Sequence, residues 1–273
     1  MRNAVISLEI AAFLLLSATL AQATGSTGVP FFMFSAHVAA GSPLRPVLDQ
    51  YATSADYLST TAVKSNPDLA ARVGRSHIYA LPPSLGALQQ QVTNCAAGLI
   101  IYDGEHWGAT PQNEQADMSS SVASGQSIAT SGGCTFGVAV DGQYAGLVPK
   151  TCGYSLDRAI HRSLDFRNIA LYNIQAQRLL SDECVAQGGQ NNYVQFVTAL
   201  ANEIHAKNPA TKISAQLSFR YTPPDRMIAV INQLRRVVDG FYLAYPLKVG
   251  GIPCQYCSAD NLGQVLSAIK KSS

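Results

Sequence analysis

The sequence predicts a single (β/α)8 barrel of the TIM type, and three observations carry that prediction. Eight short apolar runs recur along the chain, helix-like segments separate them, and no Pro/Ser-rich linker divides the 273 residues. Short buried runs alternating with helices are the pattern of parallel βα units. A chain of this length suits one such barrel. An open doubly wound sheet is the alternative, but the first run continues as FSAHVAAGSP, without the G-x-G-x-x-G phosphate turn that a nucleotide-binding sheet would carry.

The chain starts with Arg2, an apolar stretch from Ile10 to Leu20 and then Ala21-Gln22-Ala23. A basic start, an apolar run too short to span a bilayer and an A-x-A site describe a secretory signal cleaved after Ala23. The expected organisation is therefore a signal peptide over 1–23 and the barrel over 24–273, in a secreted or periplasmic protein that has no membrane contact after cleavage.

The strand candidates begin near Phe31 (FFMFSAH), Tyr57 (YLSTTAV), Ser76 (SHIYAL), Ala97 (AGLIIYD), Cys134 (CTFGVAVD), Ile169 (IALYNIQAQ), Lys212 (KISAQLSF) and Val238 (VDGFYLAYP). Between them, Pro43 to Thr53 and Asn66 to Val73 read as helices. Thr110-Pro111 opens another, which Gly132-Gly133 ends. Tyr193, Val197, Leu200, Ala201 and Ile204 fall at helical spacing, and Asn208-Pro209 stops that segment. Met227, Val230, Ile231 and Leu234 form a further face. Ser258 caps a last helix whose apolar stripe is Leu262, Val265, Leu266 and Ile269.

Six cysteines in an exported chain favour disulfides. Topology orders them as Cys95–Cys134 at the bottom of adjacent strands, Cys152–Cys184 between loops on the top face, and Cys254–Cys257 as a local staple. Cys254-x-x-Cys257 has no second Cys or His pair for a zinc ribbon and lies in a Gly-Pro-rich loop unlike a thioredoxin helix start. The net charge of +2 shows no basic run or aromatic–basic interleaving. That gives no argument for nucleic acid or an anionic membrane surface. There is no G-x-S-x-G for a serine hydrolase.

A barrel builds its site at the C-terminal ends of its strands, and side chains two apart share a face. Asp103 and Glu105 therefore continue the face of Leu99 and Ile101 into the mouth. Asn173, Gln175 and Gln177 share one face of the sixth run, and Ser214, Gln216 and Ser218 one face of the seventh. His37 ends the first run, Asp141 the fifth, and Tyr242 and Tyr245 the eighth. Trp107 and Tyr144 lie on adjacent loops. Carboxylates with amides and aromatic plates suit a polyhydroxylated ligand: rings stack on a sugar's apolar face and amides satisfy its hydroxyls. A carboxyl in a half-dry mouth can keep its proton and act as a general acid.

The fourth run, ending in Asp103-Gly104-Glu105, resembles the chitinase-type glycoside hydrolases (family 18 and its barrel relatives). The resemblance implies Glu105 as the acid that protonates the glycosidic oxygen and Asp103 as its supporting partner. The chain departs from that family where Ile101 replaces an earlier aspartate and where the sixth run reads YNIQAQ without a Tyr-Asp pair. The longer patterns YD-x-E-x-W…TP…EQ and IQAQ also resemble secreted bacterial barrel proteins.

The expected function is thus a secreted glycoside hydrolase acting on a polysaccharide or oligosaccharide without a cofactor. Glu105, Asp103 and Asp141 are its catalytic candidates, with His37, Trp107, Gln175, Gln177, Gln216 and Tyr245 binding the substrate. Competing readings are a non-catalytic glycan-binding or structural barrel and a metal-dependent hydrolase using His37, Asp103, Glu105 and His106, although no recognised ligand spacing supports the metal. For Asp103 and Glu105 the plainer alternative is a loop ion pair with Arg178 or Lys248, and for Asp141 an Asp-Gly turn.

Overall fold

A computed structural model describes residues 29–39, 41–93, 97–156, 164–220, 222–246, 248–249 and 252–271. Eight parallel strands close into a barrel in sequence order. They are β1 (Phe31–Phe34), β2 (Tyr57–Ser59), β3 (Ile78–Ala80), β4 (Leu99–Tyr102), β5 (Thr135–Val138), β6 (Leu171–Ile174), β7 (Lys212–Ser218) and β8 (Gly240–Ala244). Each falls within one of the eight predicted runs. β1 pairs with β8 through Phe31–Gly240 to Phe34–Leu243, which closes the ring. The leader expected over 1–23 lies outside the described residues.

The helices are α1 (Leu44–Tyr51), α2 (Thr60–Val63), α3 (Pro67–Val73), α4 (Leu85–Val92), α5 (Gln112–Ala116), α6 (Met118–Ser131), α7 (Asp182–Val185), α8 (Gly189–Lys207), α9 (Pro224–Leu234) and α10 (Ala259–Lys270). Their starts are chemical. Ser59, Ser84, Asp117, Ser181 and Ser258 each accept a hydrogen bond from a backbone N–H three residues on, at the heads of α2, α4, α6, α7 and α10. Such a side chain satisfies one orphan donor of the first turn. Leu262, Val265, Leu266 and Ile269 are all fully buried on α10, as their spacing predicts. At roughly 1.5–3 kcal/mol for each fully buried aliphatic side chain, this face is what holds α10 to the barrel.

Two local predictions need correction. The single helix expected after Thr110-Pro111 is broken at Asp117, whose backbone leaves the helical region (φ −135°, ψ 76°) to recap the chain as α6. Thr110 caps no helix there. Its hydroxyl instead donates to the Pro83 carbonyl at 2.8 Å and accepts from the Glu105 N–H at 3.1 Å. The second correction lies in the Gly-Pro-rich loop, which contains a short antiparallel pair, β9 (Lys248–Val249) with β10 (Ile252–Pro253).

The apolar core has two parts. Outward strand residues pack with the helices in one continuous cluster. Phe31, Met33, Tyr57, Tyr79, Leu99, Ile101, Ala139, Leu171 and Tyr242 form a second cluster, which fills the inside of the barrel. Alternation along β4 therefore runs as predicted, with Leu99 and Ile101 inside.

Disulfides join Cys152 to Cys184 and Cys254 to Cys257. The first ties the loop after β5 to α7. The expected Cys95–Cys134 bridge involves Cys95, outside the described residues. No described helix is long and apolar enough to cross a membrane.

Candidate active site

The mouth above β4 and β5 keeps strand-like order past the formal strand ends. The Ala139 N–H bonds to the Tyr102 carbonyl at 2.9 Å and the Asp141 N–H to the Gly104 carbonyl at 2.9 Å. On β3's side, the Asp103 N–H bonds to the Pro82 carbonyl at 2.9 Å. Because pairing continues, alternation continues too. Asp103 and Glu105 stay on the inner face of Leu99 and Ile101, and Asp141 stays on that of Ala139. Glycine at 142 is required for this closure, since a Cβ there would lie 2.2 Å from the Gln175 carbonyl oxygen.

Asp103 is only 9% exposed. Its Oδ1 accepts a bond from Gln175 Nε2 at 2.9 Å, and the same nitrogen donates to the Ala139 carbonyl at 2.6 Å. Burial, reinforced by the nearby Glu105 and Asp141 carboxyls, pushes the Asp103 acid well above the usual carboxylate range, against the Gln175 bond. Glu105 is half-buried one step nearer the solvent. Desolvation first, then the Asp141 charge, raises its carboxyl as well. Both acids thus favour their protonated forms more than exposed carboxyls would.

Asp141 has different partners. Its Oδ1 accepts from the Gln143 N–H at 2.8 Å, closing an Asp-Gly turn, while its Oδ2 lies 3.4 Å from both the His106 N–H and His106 Nδ1. The His106 ring stacks on Tyr144 with centroids 4.0 Å apart and planes 17° from parallel. Burial and the Asp141 charge push the Tyr144 phenol up to about 12. The His106–Tyr144 pair was not anticipated; the only signal was an aromatic three residues beyond Asp141.

A cleft of about 190 Å³ opens beside these groups, lined by Glu105, Asp141, Gln175, Gln177 and Arg178 on its polar side and by Leu147, Val148 and Leu179 on its apolar side. The Cys152–Cys184 bridge links its two walls, the loop after β5 and the segment after β6. Gln177 opens a 3₁₀ turn (Gln177–Leu180), and its Oε1 is buried and accepts no hydrogen bond from any described residue. Trp107, 48% exposed, sits two residues beyond Glu105 with its N–H bonded to the Glu105 carbonyl at 2.9 Å. Arg178 forms no ion pair with Glu105 or any other described residue, so the plainer loop-bridge reading finds no support there.

The remaining predicted residues lie elsewhere. Gln216 belongs to a polar layer inside the barrel: its Oε1 accepts from Asn173 Nδ2 at 2.7 Å, and the Ser214 hydroxyl donates to Asn173 Oδ1 at 2.9 Å. Beneath the acids, burial and the neighbouring Tyr242 push the Tyr79 phenol well up. Tyr242 itself, raised chiefly by burial, reaches about 12. His37 and Tyr245 line a second cleft with Pro43, Cys257 and Ser258, apart from Glu105. The reason is local. β1 ends at Phe34, so alternation no longer carries His37 inward. Tyr245, one residue past β8, turns outward to pack against Phe34 and Phe219 at 5.7 and 5.0 Å between ring centroids. The four-residue metal set of His37, Asp103, Glu105 and His106 is thereby split. Among the described residues, no three His, Cys, Asp or Glu side chains form a group that could hold a metal ion.

No family model and no curated protein matches the chain. Among solved structures it is similar to one described as a "putative phosphonomutase" from Burkholderia cenocepacia, at 9% identity over 81% of this chain and 88% of that one, with a TM-score of 0.37. The fold assignment therefore rests on the closed eight-stranded ring itself, and no family or curated match supports a chitinase-type relationship.

Proposed function

We propose that the barrel is a secreted glycoside hydrolase that cleaves a polysaccharide or oligosaccharide by carboxylate acid/base catalysis. The observation that carries this reading is the Glu105 carboxyl: half-buried, favouring its protonated form, and lining a cleft shared with Asp141 and Gln175. In this scheme Glu105 gives its proton to the glycosidic oxygen as the bond to the anomeric carbon breaks. Asp141 supplies the second carboxylate, either attacking that carbon or taking a proton from the attacking water; the carboxyl separation sets which. Asp103, deeper and bonded to Gln175, acts as a neutral hydrogen-bonding partner beneath them. Trp107 offers a stacking plate at the rim. Export belongs to the same proposal and is supported by the two disulfides, which persist in oxidising compartments.

The test is reducing-end release from a polysaccharide panel by the wild-type protein and by Glu105→Gln. Turnover by the wild type and its loss in the variant support the reading. An unchanged rate in Glu105→Gln removes Glu105 as the acid.

One observation favours the non-catalytic, glycan-binding alternative. Both Asp141 oxygens already meet donors from its own turn and from His106. Binding of a glycan with no release of reducing ends would select it.

A further inference from the structure

Two residues in the cleft are left without a task by the acid–base chemistry. The Arg178 side chain makes no hydrogen bond or ion pair with any described residue, whereas Arg45, Arg72, Arg167 and Arg226 each meet an aspartate. Gln177 Oε1, one residue earlier, is buried without a donor. A buried acceptor left unbonded is costly, and its natural remedy is a ligand hydroxyl or a water.

We propose that the cleft binds a glycan carrying an anionic substituent, a carboxylate or sulfate, with that group on the Arg178 guanidinium and an adjacent sugar hydroxyl donating to Gln177 Oε1. The proposal rests on the hydrolase reading and names the substrate class for the same site. A guanidinium presents a planar fork of donors that matches such oxyanions in two parallel hydrogen bonds. The volume of about 190 Å³ is smaller than pockets that enclose drug-sized ligands, about 300–1,000 Å³, and suits a single sugar ring.

The electrostatics of the cleft are consistent with an anion. Arg178 lines the same cleft as Glu105, Asp141 and Gln175, and burial raises the Asp103 and Glu105 carboxyls. Both acids are biased towards their neutral forms and the Asp141 carboxylate meets the His106 N–H at 3.4 Å, so repulsion of an incoming anion is weakened in a cleft where Arg178, unpaired with any described residue, supplies a positive charge.

The experiment is calorimetric titration of Glu105→Gln, chosen so that turnover does not consume the probe, and of Glu105→Gln combined with Arg178→Gln or Arg178→Lys. The probes are oligogalacturonates for carboxylate, sulfated galactan oligosaccharides for sulfate, and cello- and chito-oligosaccharides as neutral glycans. The expected result is an anionic class bound at least about tenfold more tightly than the neutral ones, with that preference lost in Arg178→Gln and partly kept in Arg178→Lys. Which anionic class binds distinguishes carboxylate from sulfate. Neutral glycans bound as tightly as anionic ones, or an anionic preference indifferent to Arg178→Gln, overturns the inference and leaves the glycan reading standing. No binding by any probe, with the variants melting as the wild type does, overturns both.

Discussion

Gln175 holds Asp103 to the barrel by one nitrogen: its Nε2 donates to Asp103 Oδ1 at 2.9 Å and to the Ala139 carbonyl at 2.6 Å. The amide directly follows β6, the acid β4 and the carbonyl β5. One side chain therefore fastens three strand ends beneath the cleft. The bond opposes the rise in the Asp103 carboxyl that burial imposes, and the same Gln175 side chain partly offsets the rise of Glu105.

Gln175→Ala should destabilise the fold by about 1–3 kcal/mol, because a buried acid and a buried carbonyl both lose their donor. Chemical denaturation at neutral pH measures this. An unchanged midpoint and slope would show that the contact holds nothing.

Asp103→Asn should stabilise the protein at neutral pH. The wild-type carboxyl has a folded pKa above its unfolded one, so its favourable contribution is complete below the ordinary aspartate range, about 4, and declines as pH rises towards the folded value. Each pH unit over which the folded acid stays protonated while the unfolded one ionises costs about 1.4 kcal/mol. The gain from Asn, which keeps an oxygen for Gln175, should shrink to nothing in acid. A difference that is flat with pH, or largest in acid, contradicts the burial of Asp103.

Breaking Cys152–Cys184 should cost more than breaking Cys254–Cys257. The bridges span 32 and 3 residues, and loop-closure entropy then gives about 4 and about 2 kcal/mol. The Cys152→Ser/Cys184→Ser variant should also weaken glycan binding, since that bridge joins the walls of the cleft. Denaturation midpoints of the paired serine variants decide the order, and equal losses would refute it.

Trp107→Ala should leave stability within about 0.5 kcal/mol, as expected for an exposed side chain, while weakening glycan affinity. Trp107 is the chain's one tryptophan, so its fluorescence reports ligand directly in the unmodified protein. A glycan that binds without changing that emission would place Trp107 outside the site.

The fold was largely legible because strands buried on both faces must be apolar throughout, and FFMF, LIIY and GFYLA could be little else. The inward set Leu99, Ile101, Asp103, Glu105 was legible because backbone pairing outlasts the strand. His37 escaped the same rule because β1 stops at Phe34 and alternation has no meaning in a bend. Tyr245 lies three positions from Tyr242 and on the opposite face, so nearness in the sequence does not bring it into the mouth. The break at Asp117 reflects tertiary demands: Glu114 turns inward to accept from the Tyr102 hydroxyl at 2.7 Å and the Leu85 N–H at 3.0 Å. No helical period encodes that. In the sequence Arg178 reads as a salt-bridge partner, and its lack of an ion pair with any described residue is a fact of three dimensions.

The most direct measurement is the titration of the Glu105 side-chain carboxyl by carbon NMR, assigned by comparison with Glu105→Gln and repeated in Asp141→Asn. A midpoint above the ordinary glutamate value, falling when the Asp141 charge is removed, is the predicted result. A midpoint at or below that value, indifferent to Asp141, would mean that the carboxyl faces bulk water and holds no proton to give.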